Sequence, residues 1–131
     1  MLNYRRTKKI LKKRLFEEKE SLESIDIQSA PSGEWAEYNA QYMAQEEAVE
    51  AYKIVIINLN KIHKSKSFTQ AKFYIKEIEE VIDLFDQMEP VSAPSGEWEE
   101  YNVSYMIAQG EAFVFEEALP LLKKYVLKKF A

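Results

Sequence analysis

Cysteine is absent from this chain of 131 residues, which excludes disulfides, thiolate metal sites and thiol nucleophiles. Glycine and proline are scarce, with three and four residues, leaving too few turns for a β-sandwich or barrel. The single histidine, His63, removes any site built on two imidazoles. Apolar runs are short: the stretch 54–57 (IVII) falls far below the roughly 18–20 residues of a membrane span. The basic N-terminus lacks the apolar stretch of a secretory signal, so the expectation is a cytoplasmic protein with no membrane span. What is there is ordinary globular composition, 47% hydrophobic and 31% charged, too apolar for a disordered tail. The length fits one helical domain over 1–131.

An internal repeat organises the chain. Residues 29–43 read SAPSGEWAEYNAQYM and residues 92–106 read SAPSGEWEEYNVSYM, identical at twelve of fifteen positions. After a one-residue insertion at Ile107 the match continues as AQEEA (44–48) against AQGEA (108–112). The flanks share little identity, so the segment holds a fixed structural or binding job in both halves, or is what drift has left of a duplication.

Hydrophobic spacing of three and four predicts helices around each copy. Tyr4, Leu11, Leu15, Leu22 and Ile25 make one face, and Phe68, Ala71, Ile75, Ile78, Ile82 and Phe85 another. Trp35, Tyr38, Tyr42, Val49, Tyr52, Ile56 and Leu59 form a third stripe, matched by Trp98, Tyr101, Tyr105, Ala112, Phe115, Leu119, Leu122 and Val126. The prediction is four helices at about 3–24, 33–61, 68–88 and 96–129. The β-branched run 54–59 competes as a strand, but the unbroken stripe favours helix. Ser67 with Gln70 reads as a capping box, Ser32 and Ser95 as helix caps, and Pro120 as a kink or a break before a short terminal helix at 119–130. The expected fold is all-α: a four-helix bundle of two tandem helix–loop–helix hairpins (about 3–62 and 66–130) with internal pseudo-two-fold symmetry. A dimer exchanging hairpins between chains is the competing arrangement.

Charge alternates in blocks. Residues 1–15 carry seven positive charges and no negative one, residues 77–117 carry twelve negative and no positive, and the net charge is −4. On antiparallel hairpins this gathers Arg5, Arg6, Lys8 and Lys9 with Lys61, Lys64, Lys66, Lys124 and Lys128 at one pole. The acidic ends and both SAPSGEW loops gather at the other. Helix dipoles favour acid at the starts of the second and fourth helices but oppose base at the starts of the first and third. A layout that costs stability locally points to a partner; solvation of the helix ends is the plainer account.

No phosphate-binding glycine loop, G-x-S-x-G elbow or H-E-x-x-H occurs, so the chain reads as non-enzymatic, without a cofactor. Glu46, Glu47 and Glu50 could face Glu111, Glu116 and Glu117 across a bundle, but di-metal bundles also need Glu-x-x-His, and no metal site is expected. The Trp/Tyr sets read first as core and second as the lining of a cleft between the loops. Asn39 and Asn102, each one turn after a Trp, would need partners if buried, from across the axis or from the opposite loop.

The expected function is a small non-catalytic interaction or adaptor protein. Its interaction residues would be Glu34, Trp35, Tyr38, Asn39, Glu97, Trp98, Tyr101 and Asn102 at the acidic pole and Arg5, Arg6, Lys8 and Lys9 at the basic pole. The partner would be another protein or a second copy, as a homodimer or head to tail. The alternatives are a nucleic-acid-associated regulator that binds phosphates through the basic pole, disfavoured by the acidic net charge, and a small-ligand sensor using the Trp/Tyr sets.

Overall fold

The computed structural model describes residues 3–131, and among them every regular element is helical. α1 spans Tyr4–Glu23, α2 Trp35–Tyr38, α3 Ala40–Lys64, α4 Phe68–Asp86, α5 Trp98–Tyr101 and α6 Val103–Lys129. The six pack together. The long helices lie where the spacing places them, and the run 54–59 is helix inside α3. Its stripe explains why: Ala48, Ala51, Tyr52, Val55, Leu59 and Ile62 are all buried at helical spacing. Burying each large member contributes about 1.5–3 kcal/mol, more than the β-preference of an isoleucine-rich stretch can offset.

Packing is dominated by α3 against α6, with α1 laid on α3 and α4 on α6; α1 reaches α6 and α4 reaches α3 less extensively. The core runs along this central seam through Tyr52, Val55, Leu59, Ile62, Phe115, Leu122 and Val126, joined by Leu11 from α1 and Ile75 and Ile78 from α4. One close approach sets the seam. A Cβ at Gly110 would lie 2.5 Å from the carbonyl oxygen of Ala44, so only glycine lets the two backbones meet there.

The helix boundaries differ from expectation at both repeat copies, and the capping box at Ser67 does not close. The helices expected from 33 and from 96 are each divided in two, because Asn39 (φ −125°, ψ 32°) and Asn102 (φ −124°, ψ 32°) leave helical geometry. Ser32 and Ser95 are not caps: Glu34 and Glu97 occupy the cap positions without a side-chain bond, and the serines sit in the preceding turns. Pro120 neither ends nor divides α6. Pro120 and Glu116, whose carbonyl loses its helical partner, are both solvent-exposed, so water can take the place of the missing N–H. Ser67 does cap α4, accepting from Gln70 N at 3.1 Å, while Gln70 Oε1 accepts from Lys66 N instead of closing the box on Ser67.

Candidate functional site

Each SAPSGEW segment makes a tight turn, a single helical turn and a break. Glu34 N donates to Pro31 O and Glu97 N to Pro94 O, both at 3.0 Å. Gly33 and Gly96 occupy the third position of these turns with φ +84°. No atom stands within 4 Å of a Cβ built at either glycine, so the requirement is conformational, as type II turns demand.

The asparagines explain the break. Asn39 Oδ1 accepts from Gln28 N at 2.6 Å, and its Nδ2 donates to Gln28 O and Trp35 O, both at 3.0 Å. Asn102 repeats this with Val91 N at 2.7 Å, Val91 O at 3.0 Å and Trp98 O at 2.9 Å. A carboxamide presents one acceptor and one donor side by side, so it pairs with a peptide unit as a neighbouring strand would. The buried asparagines therefore bond neither across an axis nor to the opposite loop, as the sequence reading expected. Each ties down its own incoming segment.

The aromatic rings also differ from the core reading. Tyr42 and Tyr105 are half-buried, each meeting its Trp edge-on with centroids 6.1 Å apart at 89°. Trp35 and Trp98 themselves remain 43% and 42% exposed, and Tyr38 and Tyr101 are exposed as well. Glu34 is exposed and Glu97 half-buried.

The two loops adjoin through α2 and α5. Between them lies a groove of about 310 Å³ whose charged lining is acidic: Asp26, Glu37, Glu99 and Glu100. Gln41 Nε2 spans from α3 to Glu99 Oε2 at 3.3 Å. Glu37 Oε2 is buried without a hydrogen-bond partner. Of the acidic-pole residues expected from sequence, Tyr38 and Asn39 line this groove; Asp26, Glu37, Glu99 and Glu100 were missed as individuals. The one signal that could have found them is that Glu37 and Glu100 occupy the same position of the repeat.

At the opposite end, the start of α1 meets the ends of α3 and α6. Tyr4 OH donates to Asn60 Oδ1 at 2.5 Å, and its ring stacks on His63 at 3.7 Å with 12° between planes. His63 lies in the last turn of α3, not in a connection as the spacing implied, and bonds Tyr125 OH through Nδ1 at 2.6 Å. Lys8 Nζ donates to Tyr4 OH at 3.1 Å, and Lys129 Nζ donates to the His63 carbonyl. Desolvation first, then the charges of Lys129, Lys64 and Lys8, hold His63 below its ordinary pKa. Lys8 thus joins this cluster, whereas Arg5, Arg6 and Lys9 are exposed along α1. The ion pairs of the described residues, Lys53–Glu50 and Lys123–Glu79, involve none of these cations.

Of the glutamates proposed to face one another, Glu47 and Glu111 do, across the seam. Burial, a shared hydrogen bond and the charge of Glu47 push the Glu111 carboxyl above its ordinary value. Tyr52, hydrogen-bonded to Glu117 Oε2 at 3.2 Å, is pushed up to about 12, by burial first and then by Glu117. Among the described residues no group of three His, Asp or Glu side chains is placed to hold a metal, and no helix is long and apolar enough to cross a membrane. No protein-family model, curated protein or solved structure matches the chain.

Proposed function

We propose that the protein is a non-catalytic, cytoplasmic interaction module whose acidic, aromatic loop pole receives a cationic segment of a partner protein. The observation that carries this reading is that four rings, Trp35, Tyr38, Trp98 and Tyr101, stay solvent-exposed on rigidly tied loops, Tyr38 among them lining the acidic groove. Core-forming rings would be covered. Tryptophan and tyrosine on a stiff surface supply large contact area at low entropic cost, and they dominate binding energy where partners meet. Asp26, Glu37, Glu99 and Glu100 add attraction for lysine and arginine and speed encounter.

The matching turns, asparagine ties and Trp–Tyr pairs also support reading the whole as one domain, a flattened four-helix bundle of two hairpins about an approximate two-fold axis. In that reading the loops form a bivalent site, and the identical residues are kept because both copies face the same partner.

The test is a titration of Trp emission with a twelve-residue Arg/Leu peptide, against a Glu/Leu peptide of the same length. The Arg/Leu peptide should bind and weaken with salt. Replacing both Trp35 and Trp98 by alanine should cost tenfold or more, about 1.4 kcal/mol, read by calorimetry with the helical content unchanged. Equal binding of the acidic peptide, or full binding by the double variant, would refute the reading.

A further inference from the structure

The basic pole is more than a set of solvated lysines. Three helices bring their ends together there, and their side chains are locked to one another before any ligand arrives. Tyr4 of α1 is fixed by Asn60 and stacks on His63 of α3, and His63 is bonded to Tyr125 of α6. Tyr125 is buried, and burial followed by the charge of Tyr4 raises its pKa, so its hydroxyl keeps its proton. The bond fixes the orientation of the ring, and where the hydroxyl donates to Nδ1 the proton of the neutral histidine sits on Nε2. The imidazole ring is exposed, and Nε2 bonds nothing among the described residues. It is an oriented N–H donor at the surface.

Around it stand Lys8, Lys64 and Lys129, the cations whose charges act on this ring. None is in an ion pair among the described residues, and stretches 1–15 and 118–131 contain no aspartate or glutamate. Two of the ammonium groups are already held, Lys8 by Tyr4 OH and Lys129 by the His63 carbonyl, so less side-chain entropy is lost on binding. A neutral donor among three unneutralised cations matches a compact, multiply charged oxyanion. Charge-assisted bonds from lysine to phosphate oxygens are about twice as strong as neutral ones.

The geometry points to a binding site for the dianionic phosphate group of a small ligand on His63 Nε2, Lys8, Lys64 and Lys129, distinct from the acidic loop groove. Tyr4 and Tyr125 position the ring without touching the anion. The bound charge favours imidazolium over imidazole, so binding and protonation of His63 are linked, each strengthening the other.

Because the chain has one histidine, its imidazole proton resonances in an NMR spectrum are unambiguous. The experiment follows the His63 Hε1 resonance through a pH titration in pyrophosphate and in sodium chloride of equal ionic strength. Pyrophosphate should shift the resonance saturably and move the His63 titration upward. The Lys64→Met variant should bind several-fold more weakly, and Lys64→Met with Lys129→Met at least tenfold more weakly. Because Lys129 also holds the end of α3, an unchanged helical content and melting temperature of the variants is the control for folding. A displacement no larger than that caused by chloride, or variants that bind as well as the parent, would overturn the proposal. So would a response to single-stranded DNA with none to pyrophosphate, which would assign the pole to a nucleic-acid backbone.

Discussion

In the first copy of the repeat Tyr42 meets Trp35, and no further aromatic ring packs on the pair; in the second, Tyr105 meets Trp98 and also Phe85, 5.2 Å away, which in turn meets Phe113 edge-on. At the next matched stretch the first copy carries Glu46, exposed on α3, where the second carries Gly110, pressed against the carbonyl of Ala44. Yet the turns, asparagine bonds and Trp–Tyr angles of the two copies are nearly superposable in their values. Loop geometry is therefore set inside the fifteen-residue segment, while the difference between copies is set by what lies against it.

That comparison breaks most severely at position 110. Gly110→Glu, which restores the residue of the first copy, should cost about 3 kcal/mol or more in urea unfolding, since the seam must open to admit a side chain. Its mirror image, Glu46→Gly, lies on an exposed helical surface and should cost only about 1 kcal/mol. Next come the asparagines. Asn39→Ala and Asn102→Ala each remove a buried carboxamide with its three hydrogen bonds and should each cost about 2 kcal/mol. The two values should agree within about 0.5 kcal/mol, the usual scatter for independent sites; unequal values would mean that surroundings, not the segment, hold the loops.

Smaller still, Gly33→Ala and Gly96→Ala meet no atom and lose only the left-handed backbone preference, about 1 kcal/mol each. Least is the effect of Glu111→Gln. The Glu111 pKa is raised by burial and then by Glu47, so its contribution to stability is complete below the ordinary carboxylate range and is lost as pH rises through the native value. The variant should melt about 1–2 °C above the parent at pH 7 and no higher at pH 4, measured by calorimetry. Glu47→Gln, the matched position, should relieve the same repulsion.

Helical class and the positions of the long helices were legible because apolar spacing of three and four runs unbroken through Tyr52, Val55, Leu59 and Ile62. The break at Asn39 was not, since the stripe crosses it without a change of phase. Its cause is the main chain of Gln28, and in the second copy that of Val91, so no side-chain identity marks the contact. The alternative of a break at Pro120 fails because the helix packs at Ala118, Leu122 and Val126 on both sides of it. The repeat marks the segment that forms the two loops, but whether a tryptophan faces core or solvent depends on the turn before it, which hydrophobic spacing does not encode. His63 carried no sequence signal, because its partners Tyr4 and Tyr125 lie at the two ends of the chain.

The seam between α3 and α6 has a kinetic consequence. α1 with α3, and α4 with α6, are neighbours along the chain, so each pair can assemble after closing one modest loop, whereas the seam joins segments about half the chain apart. Folding should therefore be limited by docking of preformed halves, and mutations in the seam, Gly110 first among them, should slow refolding. Stopped-flow measurements on Gly110→Ala would locate that meeting in time: a slowed refolding arm would put the seam at the summit, and a faster unfolding arm would put it on the native side.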